Sequence, residues 1–99
     1  MINIETSDRG KESFHDVCNF IVFKWNLKIL QDFIVLVEKA LNRLNTNPNI
    51  GTIFSKTIRK IVLHKNASLY YEYDENLKTI TILLFIDNRQ NPDDYFKLL

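Results

Sequence analysis

Residues 58–91, IRKIVLHKNASLYYEYDENLKTITILLFIDNRQN, hold three runs of β-branched and aromatic side chains, 58–64, 68–74 and 79–86. Short polar segments rich in Asn, Asp, Glu and Lys part them, the pattern of strands bounded by turns. Lys65-Asn66 is the first connector and residues 74–78 are the second. Links this short join antiparallel neighbours, because a parallel pairing needs a crossover of about a dozen residues or more. The stretch therefore predicts a three-stranded antiparallel meander.

Alternation along those strands sorts the side chains into two faces. Leu69, Tyr71 and Tyr73 point one way, and Ser68, Tyr70 and Glu72 the other. In the last strand Ile80, Ile82, Leu84 and Ile86 share a face opposite Thr81, Leu83, Phe85 and Asp87. One face is apolar and needs helices over it. The other combines Tyr70, Leu83 and Phe85 with Lys60, His64 and the following Arg89, a mixture of aromatics and cations that suits a partner protein or a nucleic acid.

Upstream, Asn45-Thr46-Asn47-Pro48-Asn49-Ile50-Gly51 gathers the residues that stop a helix and turn the chain. Before it, Leu30, Phe33, Ile34, Val37, Leu41 and Leu44 recur at the spacing of one helical face, the strongest such periodicity in the chain. A first helix begins near Asp8, where Thr6-Ser7-Asp8 offers oxygens to the exposed N–H groups of an opening turn. Its stripe is Phe14, Val17, Cys18, Ile21 and Trp25, with Phe20 and Phe23 off it, so a second contact surface or deep burial is implied. Asn26 follows directly and is read as the residue that ends this helix. Residues 1–5 alternate as a short strand that returns to pair with the meander. After it, residues 87–92 read as a turn, and 93–99 as either a short terminal helix or a mobile tail.

The expected architecture is α+β in the order β-α-α-β-β-β. An N-terminal strand and an antiparallel helical hairpin pack on one face of a small, mainly antiparallel twisted sheet. At 99 residues the chain forms one domain. Its 45% hydrophobic and 25% charged content excludes wholesale disorder, and a net charge of +1 excludes a protein that grips nucleic acid by bulk charge. Position matters more: Lys56, Arg59, Lys60 and Lys65 fall in ten residues without a carboxylate. Cys18 has no partner for an intrachain disulfide. No basic-then-apolar leader and no run near the ~20 apolar residues of a membrane span is present, so a soluble cytoplasmic protein is expected. No spaced set of His, Cys and carboxylates suggests a metal, and no cofactor is expected.

The order of these pieces resembles the RelE/ParE superfamily of toxins from type II toxin–antitoxin systems. The resemblance spans nearly the whole chain and rests on the W-N break at Trp25-Asn26, N-P-N-I-G at Asn47 to Gly51, L-Y-Y-E at Leu69 to Glu72, and F-I-D-N-R-Q-N-P at Phe85 to Pro92. It implies a small, growth-inhibiting toxin of a plasmid-stabilisation type system, neutralised in a hetero-oligomer by a cognate antitoxin whose extended or helical segment wraps the sheet and helices. RelE-like members cleave messenger RNA in the ribosomal A site without a metal, and ParE-like members poison DNA gyrase; the long hairpin looks more like the latter. By position Arg59, Lys60 and Arg89 match family basic residues, and His64 and Tyr70 are placed to move protons, which is the chemistry that cleavage beside a phosphate needs. Tyr70, Leu83, Phe85, Phe20 and Phe23 are the expected partner-binding residues. Two departures count against catalysis: Ser68 stands where members commonly carry a strand arginine, and Asp87 where many ParE-like chains carry a histidine. A degenerate member that only binds antitoxin is the alternative.

Overall fold

The computed structural model describes residues 2–65 and 67–87. They run as β1 (Asn3–Thr6), α1 (Asp8–Lys24), α2 (Leu27–Thr46), β2 (Thr52–Ser55), β3 (Ile58–His64), β4 (Ala67–Asp74) and β5 (Thr79–Asp87). One sheet holds all five strands in the order β1-β5-β4-β3-β2. The β3-β4-β5 meander is antiparallel as expected, and β1 returns to lie parallel to β5. The sequence reading lacked β2, a four-residue strand joined to β3 through the tight turn at Lys56-Thr57, where Lys56 adopts φ 39°. Its run TIFS is too short and too exposed to show a period. The 93–99 segment, read as a helix or tail, lies outside the described residues, as does Arg89.

Ser7 caps α1 as the sequence suggests, its hydroxyl accepting the Gly10 N–H at 3.0 Å. Asn26 does the opposite of what was expected. It is extended, with φ −164°, and its side chain accepts the Ile29 N–H at 3.0 Å, so it starts α2 rather than ending α1 in a left-handed turn. An Asn between two helices can serve either end, and here the N–H groups of α2 claim it.

Both helices cover one sheet face. Val17 and Ile21 from α1 and Phe33, Val37, Ala40 and Leu44 from α2 meet Ile61, Leu69, Tyr71, Ile80 and Ile82 in one buried core. Each such large aliphatic or aromatic side chain contributes about 1.5–3 kcal/mol when fully buried. Gly10 lets α1 approach β5 closely, since a Cβ there would sit 2.6 Å from the Ile82 carbonyl oxygen.

The alternation predicted for β5 fails halfway along it. Tyr70 pairs with Leu84 but Tyr71 pairs with Ile82, so Leu83 is an extra residue, a β-bulge that reverses the faces beyond it. Ile80 and Ile82 face the helices, whereas Leu84 and Ile86 join Tyr70 in a second buried cluster on the opposite side. Phe85 was expected on that opposite face. It lies instead in the helix-side core, 5.2 Å from the Phe14 ring and 4% exposed. β1 ends opposite Ile82, and beyond that point the Phe85 N–H is taken by the buried Ser13 hydroxyl of α1 at 2.9 Å.

Candidate functional site

Lys60 and Tyr70 stand opposite each other on β3 and β4, on the face away from the helices, with the Lys60 ammonium 5.9 Å from the centre of the Tyr70 ring. Phe54 of β2 meets that ring edge-on at 4.9 Å and is 43% exposed. This is the aromatic and cationic surface that the sequence pointed to. Tyr70 is its floor rather than its tip, being 1% exposed, and burial pushes its phenol above the ordinary range. A phenol so placed holds its proton and supports the residues above it, which suits packing better than proton transfer. Leu83 is half-buried against the Tyr70 cluster, on the expected face.

Alternation sends Arg59, one residue earlier, to the other side of the sheet. There it faces Tyr71 across the strands, and its guanidinium donates to the carbonyls of Asn49 at 3.2 Å and Gly51 at 2.8 Å. The Tyr71 hydroxyl donates to the Pro48 carbonyl at 2.8 Å and accepts the Gly51 N–H at 2.9 Å. Burial raises the Tyr71 phenol, an effect that the Gly51 bond and the Arg59 charge oppose. Arg59 and Tyr71 thus clamp the α2–β2 connector, and that gives Arg59 a structural task.

His64 is separated from Lys60 as well. Register slips between Val62 and His64, and His64 lines a cleft of about 390 Å³ with Trp25, Ile29, Asp32, Phe33, Leu36 and Lys65, on the helix side. Of the four cleavage candidates within the described residues, only Lys60 and Tyr70 come together. Among the partner-binding candidates, Phe23 is 86% exposed at the end of α1, while Phe20 packs edge-on against Trp25 at 5.9 Å. Sequence reasoning missed Phe54, whose strand it did not see, and the exposure of Val22, Trp25 and Leu27 around Phe23. Five large apolar residues in one eight-residue stretch were the signal available for these. The far face changes sign toward the β4–β5 turn, where Glu5, Glu72, Asp74 and Glu75 line a groove of about 490 Å³.

No protein-family model and no curated protein sequence matches the chain. Solved structures do. Escherichia coli RelE toxin, determined in isolation, superposes over 100% of both chains with a TM-score of 0.64 and 10% identity. A chain of the RelBE2 toxin–antitoxin complex of Mycobacterium tuberculosis gives 0.62 at 18% identity, covering 87% of this chain and 96% of its own. A conserved hypothetical protein of Helicobacter pylori gives 0.53 at 18% identity, over 90% and 97%. Agreement of this extent at such low identity is agreement of backbone architecture, and it shows that the chain has the same fold as RelE.

Proposed function

We propose that the chain is the toxin of a type II toxin–antitoxin pair, held inactive by a cognate antitoxin in a hetero-oligomer and arresting growth of a bacterial host when released. The observation that carries this reading is the correspondence with RelE, which covers 100% of both chains. The surface carrying Lys60, Phe54 and Tyr70 is the contact with the target, either messenger RNA on the ribosome or DNA gyrase. Both targets place the toxin in the cytoplasm. Lys60 meets negative charge on the target and Phe54, held edge-on by the buried Tyr70 ring, gives it an exposed aromatic surface. Arg89 belongs to the same proposal through its position after β5 in sequence.

A second reading, a member that binds antitoxin without attacking a target, is favoured by one observation. Arg59 is bound to two carbonyls and His64 lies on the helix side, so the acid, base and cation set required for cleavage does not assemble around Lys60 among the described residues. Induced expression in a bacterial host separates the two. Arrest is the expected outcome, relieved by Lys60→Ala, with messenger RNA and plasmid supercoiling followed in the same cultures to distinguish cleavage from gyrase inhibition. Undiminished growth at full soluble expression establishes the binding-only reading.

A further inference from the structure

β1 ends opposite Ile82, so Phe85 lies farther along β5 than that pairing reaches, its N–H held by Ser13 instead. Between Phe85 and the two helices the structure leaves a pocket of about 240 Å³. Phe14 of α1, Val37 and Leu41 of α2 and Phe85 form its apolar wall, and Lys11 and His15, one helical turn apart on α1 and both exposed, stand at its mouth. An apolar concavity on which a few polar groups converge has the form of a small-ligand site. We infer that this pocket binds a small aromatic acid, its ring against Phe14 and Phe85 and its carboxylate at Lys11 and His15. The inference is independent of the toxin reading.

Volume, wall and charge select that ligand. A cavity of about 150 Å³ takes a benzene, so this one holds a single ring with a short side chain and is too small for a long acyl chain. The wall already contains aromatic pairs: Phe14 meets Phe85 edge-on at 5.2 Å and stacks on Phe33 at 6.1 Å. A further ring in contact with them continues the same favoured geometries. No carboxylate lines the pocket, and among the described residues neither Lys11 nor His15 is in an ion pair. Of the nearby α1 carboxylates, Glu12 faces Arg9 at 3.9 Å, and Asp8 and Asp16 lie outside the lining. Lys11 therefore supplies positive charge and the His15 ring an N–H donor, which favour an anionic head over a neutral or cationic one.

The probe is hydrocinnamate, a phenyl ring on a propionate, titrated into the isotope-labelled whole chain and followed through its amide spectrum. Saturable shifts centred on Phe14, His15, Val37 and Phe85 are expected. Binding should be at least about fivefold tighter than that of N-acetylphenylalanine amide, which presents the same ring without charge, as a partner protein's side chain would. Lys11→Gln, an exposed change, weakens hydrocinnamate about three- to fivefold, and Lys39→Gln, on α2 outside the lining, leaves it unchanged. Leu41→Phe fills the pocket and removes saturable binding, with the amide signals of β3 and β4 in place to show that the fold is kept. Equal or tighter binding of the neutral amide overturns the inference and marks the pocket as a seat for a protein side chain. Equal binding of hexanoate, or the same shifts with acetate alone, overturns the aromatic ligand. Undiminished binding in Lys11→Gln, shifts centred elsewhere, or no saturable shift overturns the site.

Discussion

The Tyr71 hydroxyl serves two backbone groups at once, the Pro48 carbonyl and the Gly51 N–H. Tyr71→Phe leaves both groups in a partly dry site and is expected to lower stability by about 1–3 kcal/mol in urea unfolding at neutral pH. The same phenol gives the fold an alkaline limit. Burial raises the ionisation of Tyr71, and of Tyr70, above the ordinary phenol value near 10. The folded protein then keeps protons that the unfolded chain has lost, so stability is full below about pH 10 and falls as pH rises from there toward the folded values. In Tyr71→Phe that alkaline decline is expected to be shallower, because one of the two buried phenols is gone. Sequence reading placed Tyr71 in the core correctly. Its bond to a loop twenty residues earlier depends on how β4 meets the α2–β2 connector, which spacing along the chain does not record.

At the scale of elements, β5 is where local pattern and structure part company. Thr79 to Ile86 reads as one unbroken alternation, yet a single extra residue, Leu83, exchanges the faces of all that follow. The bulge lets Phe85 fill the space beside Phe14 and Phe33 while Leu84 and Ile86 pack with Tyr70. Ser13 holds this arrangement, donating to the Gly10 carbonyl at 2.9 Å and accepting the Phe85 N–H at 2.9 Å. Ser13→Ala leaves that N–H buried without an acceptor, and a loss of about 1–3 kcal/mol is expected in thermal or urea unfolding, with faster amide exchange at Phe85. The helices were more legible than the strands. Stripes such as Phe33, Val37 and Leu44 persist over several turns, whereas β2 has only four residues in which to announce itself.

Across the whole molecule the sheet separates two neighbours in sequence, Arg59 and Lys60, into different tasks. Arg59→Ala removes charge-assisted bonds to two connector carbonyls and is expected to cost about 1–3 kcal/mol of stability. Lys60→Ala, on the far face, should change stability by no more than about 0.5 kcal/mol. Unfolding curves of the two variants beside their effect on growth test the division. Loss of activity in Lys60→Ala without loss of stability assigns it to the target surface, and equal destabilisation by both overturns the assignment.

What the sequence by itself determined was every element but β2 and the pairing within the meander: two amphipathic helices, a meander closed by short connectors, and a first strand free to join it. Those follow from periodicity and from the reach of a short turn, both local quantities. Only the tertiary structure decided which face each site residue occupies. A bulge at Leu83 moved Phe85 inward, a slip after Val62 moved His64 to the helix side, and two loop carbonyls engaged Arg59. Side chains in a strand alternate with a period of two, so one inserted residue reverses every position beyond it. Where such a residue goes is settled by packing between distant parts of the chain, here by Phe14 and Ser13 of α1 against β5.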